Sequence, residues 1–155
     1  MSLQNKHKPS QIAKLIEYAK TDVTNTHQEI NFGNVPNFQA QEINLKTGIK
    51  VNGAIKVISS SGIIHTIKRH GNDKEETARG QKGITDADFE LIPSILANPD
   101  TINKGIVTGR GDQSIVFVKR VNSYDYHAVM AVKKKNDHIT LFFTTMYAKK
   151  IQKPM

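Results

Sequence analysis

His65, Lys68, Arg69, His70, Glu76, Arg79 and Gln81 fall within seventeen consecutive residues. A core helix has no use for that inventory. Cleaving a phosphodiester without a metal does use it: a base for a 2′-hydroxyl, an acid for the departing oxygen, and cations for the charge that builds on phosphorus. His65 and His70 are five residues apart, about 140° around a helix, so they do not converge on a metal as an i, i+4 pair would. His65 shares a helix face with Lys68 and Arg69, whose charges disfavour its imidazolium and suit it to the base. His70 closes the same stretch beside Gly71, the end of a helix where positive charge is favoured, which suits it to the acid. Arg79 can clamp a phosphate with both arms of its fork, and Glu76 can orient Arg79 or a histidine. The plainer account is a polar helix face followed by a solvated charged loop. The acids Asp73, Glu75, Glu76, Asp86 and Asp88 raise a third option, a magnesium-dependent nuclease. Their spacing fits no metal template, and Asp86 and Asp88 read better as first-turn helix acids.

The elements that must position these groups follow from local pattern. Ser10 can cap a helix that buries Ile12, Leu15, Ile16 and Ala19. Residues 21–28 read as a polar loop, 29–35 as a short strand, and 37–46 as a second helix with Gly48 just past its end. Residues 49–58 read as an extended pair folded at Asn52-Gly53. Residues 59–61 offer caps for a helix that turns Ile63, Ile64 and Ile67 inward and stops at Gly71. Residues 72–83 read as a loop, the kind of segment that carries function on a rigid frame. Thr85 and Asp88 form a capping-box pattern ahead of a helix burying Phe89, Ile92, Ile95 and Leu96, kinked at Pro93 and ended by Asn98-Pro99. Three β-rich runs, 114–121, 124–132 and 138–147, follow with short connections, as in an antiparallel meander. In the last run Thr145 and Tyr147 alternate onto the face of Ile139, Leu141 and Phe143, where two polar groups could complete a phosphate pocket. His127, Lys119 and Tyr126 are weaker candidates on neighbouring strands.

Composition narrows the class. The 155 residues suit one domain, with a core expected over about 29–150 and residues 1–9 expected to be disordered or tag-derived. No cysteine is present, so thiol catalysis, disulfides and cysteine zinc sites are out. No apolar run approaches a membrane span, and a cytoplasmic site of action is the simplest expectation. The net charge of +8 is concentrated late: from residue 102 onward ten Lys and Arg face only Asp112, Asp125 and Asp137. A basic sheet of that kind attracts nucleic acid through its phosphates.

Three motifs add a resemblance. His65-x-x-x-Arg69-His70-Gly71, then Glu76-x-x-Arg79-Gly80-Gln81, then Ile84-Thr85-x-x-Asp88-Phe89-x-x-Ile92-Pro93-x-Ile95 with Asn98-Pro99-Asp100, resemble a branch of the barnase–EndoU–colicin–RelE-like nucleases. That branch is associated with polyvalent proteins of phages and integrative elements. Residues 30–35, 47–53 and 142–147 also suit it. The resemblance implies an α+β fold with N-terminal helices packed on a four-stranded antiparallel sheet. It implies metal-independent, cofactor-free RNA cleavage through a 2′,3′-cyclic phosphate, in a toxin or effector role. The expected partners are RNA, tRNA among the candidates, and a cognate inhibitor or immunity protein, with delivery from another cell or a phage. In this reading His65, His70, Arg79, Thr145 and Tyr147 are catalytic, and Lys68, Arg69, Glu76, Gln81 and Lys119 hold the substrate. The alternatives are a non-catalytic RNA- or protein-binding module on the same scaffold and a metal-dependent DNA nuclease, since fold does not fix chemistry.

Overall fold

The computed structural model describes residues 3–21, 28–135 and 138–151. The loop expected at 21–28 falls largely outside this range, as does the start of the expected leader. Six helices and seven strands alternate along the described chain: α1 (Leu3–Thr21), β1 (Glu29–Asn34), α2 (Asn37–Thr47), β2 (Ile55–Ser59), α3 (Ser60–His70), α4 (Asp73–Ala78), β3 (Gln81–Lys82), α5 (Asp86–Phe89), α6 (Ile92–Ala97), β4 (Thr101–Lys104), β5 (Ser114–Val121), β6 (Tyr124–Lys135) and β7 (His138–Lys150).

The α+β class holds, but the sheet is larger than four strands and is mixed. Its order is β1-β2-β7-β6-β5-β4, and β3 also pairs with β7. β5 to β7 form the expected antiparallel meander, which the unexpected β4 extends, whereas β2 runs parallel to β7. The Asn52-Gly53 hairpin does not form. That dipeptide makes a turn with Gly53 at φ +76°, but the strand after it pairs with β1 and β7. Long-range partners thus outcompete the local one. Likewise, residues 72–83 are not an open loop: Asn72 caps the short helix α4 by accepting from the Glu75 amide.

Local signals elsewhere set the boundaries directly. Ser59 caps α3 by accepting from Gly62 N–H, and Gly71 closes it. Thr85 and Asp88 make a reciprocal capping box, and the chain breaks near Pro93 into two short helices, α5 and α6. α1 begins well before Ser10.

One face of the sheet carries the core. Tyr126, Ala128 and Met130 of β6 and Ile115 and Phe117 of β5 are buried with Phe89, Ile92, Ile95 and Leu96 of α5 and α6. The other face is not covered by those helices. α3 lies along the edge of β7, in the gap between the stretch that pairs with β2 (140–142) and the stretch that pairs with β3 (148–149). The approach is close at Gly62, where an added Cβ would sit 2.5 Å from the Phe143 carbonyl oxygen. Only glycine lets α3 seat there.

Candidate active site

β7 does not keep a single alternation. Val129 pairs with Thr145 but Met130 pairs with Phe143, so Thr144 is an extra residue, a β-bulge. Leu141 and Phe143 face the core, yet beyond the bulge Met146 and Ala148 do. Thr145 and Tyr147 therefore do not share the face of Ile139, Leu141 and Phe143, as simple alternation predicts. They stand on the uncovered face, opposite Val129 and His127 respectively.

There Tyr147 is flanked by two imidazoles. His127 stacks on it with ring centroids 4.6 Å apart, and His70 lies at 5.5 Å in a tilted arrangement. His70 arrives from the last turn of α3. Its position is fixed from behind, because its carbonyl accepts from Ile84 N–H at 2.7 Å and Gly80 carbonyl accepts from Lys150 N–H at 3.0 Å. The reversal at 79–84 thereby ties the end of α3 to the end of β7. Gly83 supports it by donating its N–H to Asp73.

That reversal returns Glu76 to His70. Glu76 has a fully buried side chain (0% exposed), and its Oε1 lies 2.7 Å from His70 Nδ1. Its Oε2 pairs with the guanidinium of Arg79, which also donates to the Arg69 carbonyl. A carboxylate accepts, so Nδ1 donates and Nε2 is the ring atom left for proton exchange. Arg79 keeps 54% of its side chain exposed, with part of its fork free for a phosphate. Lys149 lies 5.8 Å from the Tyr147 ring centroid. The Thr145 hydroxyl is 3.4 Å from that of Thr66 on α3.

The electrostatics differ across the group. His127 Nδ1 donates to the Asp125 carbonyl at 3.1 Å. Burial, reinforced by Lys149, holds its pKa below the ordinary histidine value despite that bond. Its neutral ring therefore carries a lone pair on Nε2, the form a base requires. Burial pushes the Tyr147 hydroxyl upward, so it stays protonated and can donate.

The structure thus brings His70, Glu76, Arg79 and Tyr147 together, with Thr145 one alternation further along. Gln81, on β3 opposite Lys149, lies at the same end of β7, its buried Oε1 without a partner among the described residues. Lys68 and Arg69 are exposed on α3. Two expected residues stand apart. His65 lines a separate groove on the same open face, its pKa lowered by burial and then by Arg69 and His70. Lys119 pairs with Tyr126 on the core-facing side and donates to the Asn98 carbonyl. His127 is the residue that sequence reading undervalued. Its signal was the cross-strand pairing with Tyr147, which needs the bulge to be known. Among the acids, Asp88 serves the fold. Burial opposes its charge, but Lys82, the Thr85 amide and the Tyr126 hydroxyl hold its carboxyl below the usual range. Among the described residues no three His, Asp or Glu side chains converge as a metal site, and no helix is long and apolar enough to cross a membrane.

Comparison with protein families matches residues 33–154 to the family described as phage-Barnase-EndoU-ColicinE5/D-RelE like nuclease3. No curated protein and no solved structure matches the chain. The match takes in α3, α4, β6 and β7, and with them every residue of the cluster around Tyr147. The chain belongs to this nuclease family.

Proposed function

From that membership we propose that the chain is a metal-independent endoribonuclease of toxin or effector type, forming a 2′,3′-cyclic phosphate. The observation that carries the reading is the arrangement of two imidazoles around Tyr147, one anchored by the buried Glu76 and one by a main-chain carbonyl. The arrangement offers a base, an acid and a hydrogen-bond donor side by side, which supports transesterification at this site.

In this reading His127 Nε2 takes the proton of the 2′-hydroxyl as the oxygen attacks phosphorus. His70 Nε2 delivers a proton to the 5′-oxygen as the P–O bond breaks. Arg79 and the Tyr147 hydroxyl meet the charge on the non-bridging oxygens, where donors aimed at developing charge act most strongly. Glu76 positions both His70 and Arg79. Thr145, Lys68, Arg69 and Gln81 hold the strand in place. In this reading His65 serves the adjoining groove that it lines, and Lys119, on the core-facing side, takes no part.

The test is cleavage of labelled RNA by the purified chain in EDTA, beside His70→Ala, His127→Ala and Glu76→Gln. Each variant should lose about a hundredfold or more in rate, and product ends should be cyclic phosphates. Cleavage only after magnesium is added would replace this reading with a metal-dependent nuclease. RNA binding with no cleavage under either condition would leave a binding module.

A further inference from the structure

A groove of about 720 Å³ opens on the uncovered face, next to the Tyr147 cluster but not part of it. Its floor is the Ala131–Phe142 pair of β6 and β7. One wall is the start of α3, with Ser61 and His65; the other is the connection between β4 and β5, with Arg110 and Asp112. That connection is built, not slack. Thr108 N–H donates to the Asp112 carbonyl at 2.8 Å, Gly111 N–H to the Thr108 carbonyl at 2.9 Å, and Asp112 N–H to the Thr108 hydroxyl at 3.1 Å. At its root, Gly105 and Ser114 interlock so closely that a Cβ on Gly105 would overlap the Ser114 hydroxyl.

The lining combines the features that a nucleotide requires. Phe142 offers a half-buried ring with Lys133 Nζ 5.4 Å from its centroid. Arg110 stands exposed at the rim with no ion pair to another described residue. Asp112, 3.8 Å from Lys133, supplies an acceptor. Aromatic surface takes the face of a base, and flanking cations take its phosphate.

Position links the groove to the cleavage site. Ala131 lies four residues along β6 from His127, about 13 Å in an extended strand. That is the reach of a nucleotide close to the reacting bond on a strand drawn along the sheet. Stacking on the Phe142 ring needs a base whose face is free, as in an unpaired strand whose bases can splay out.

We propose that this groove is a nucleotide subsite that takes one unpaired base of single-stranded RNA, with its phosphate on Arg110 and Lys133. The assignment rests on the ribonuclease reading for the course of the strand, and restricts that reading to unpaired segments. His65, at the groove wall, contacts the bound nucleotide instead of the reacting phosphate.

The test uses the whole chain labelled with ¹⁵N and a short RNA made uncleavable by 2′-O-methylation, offered as a single strand and as a blunt-ended duplex with its complement. The single strand should give saturable amide shifts at residues 108–112 and 61–65, and the duplex should not. Phe142→Leu and Arg110→Ala should each weaken single-strand binding about tenfold, the range that stacking on an aromatic ring covers. Their amide spectra should otherwise match the parent, which separates loss of the subsite from loss of the fold. Equal shifts with duplex, or shifts confined to residues around Tyr147, would overturn the proposal. Cleavage of ordinary RNA is assayed separately. Groove shifts without cleavage would keep the subsite and discard the nuclease, whereas cleavage indifferent to both substitutions and to pairing would do the reverse.

Discussion

At the scale of residues, the two histidines beside Tyr147 are set differently by what each nitrogen touches. His70 rests on a buried carboxylate and His127 on a carbonyl. The depressed pKa of His127 has a thermodynamic consequence. Its folded value lies below its unfolded one, so in acid the unfolded chain binds more protons. The stability contributed by its neutral ring is present above the unfolded pKa, near 6.5, and is lost as pH falls toward the folded value. His127→Phe keeps an aromatic partner for Tyr147 and removes the titration. Thermal unfolding of this variant should vary less between pH 7 and pH 5 than that of the parent. The acid limb of the parent's rate–pH profile should lie below 6.5. An acid limb above 7, or identical stability curves, would remove His127 from the role of base.

At the scale of elements, the site depends on how α3 meets the edge of β7. Gly62 permits that contact, so Gly62→Ala should force the helix off the strand, costing about 1–3 kcal/mol by overpacking. Because α3 also delivers His70, cleavage should fall further than folded fraction does, checked by denaturant titration beside rate. A fall in both by the same factor would mean that α3 does not position His70. The boundaries of α2, α3, α5 and α6 were legible in the sequence because caps are local chemistry, acting within a few residues at Ser59, Thr85, Gly48 and Pro93. The start of α1 and the whole of α4 were not. The cluster His70, Glu76 and Arg79 was likewise legible as a group, being close in the chain. What stayed hidden is non-local. The parallel pairing of β2 with β7 sets the true sheet order, and Asn52-Gly53 alone could not reveal it. The bulge at Thr144 is silent in an alternation count, and it decides whether Thr145 and Tyr147 meet the core or the open face.

At the scale of the molecule, charge is arranged as well as abundant. Lys133 and Lys149 stand on the open face of the sheet, Arg79 and Arg110 at its margins, in a chain of net charge +8. Four phosphates neutralised by these cations on a single strand would give a slope of about −3 for the logarithm of RNA affinity against that of salt. Titration of the uncleavable strand across salt concentrations reads it directly. A slope near −1 would mean that the basic face does not track the backbone.

The place of β7 in the sheet also decides when the site is complete. This strand follows all the others in sequence but lies among them in space, against β6 on one side and β2, α3 and β3 on the other. Closing a parallel contact between segments so far apart is the slow part of such a fold. Tyr147 can meet His127 within the β6–β7 pair, but it meets His70 only once β2 and the α3 that follows it have docked on β7. The cluster is therefore a product of the assembled sheet: neither the β6–β7 pair nor α3 alone carries it.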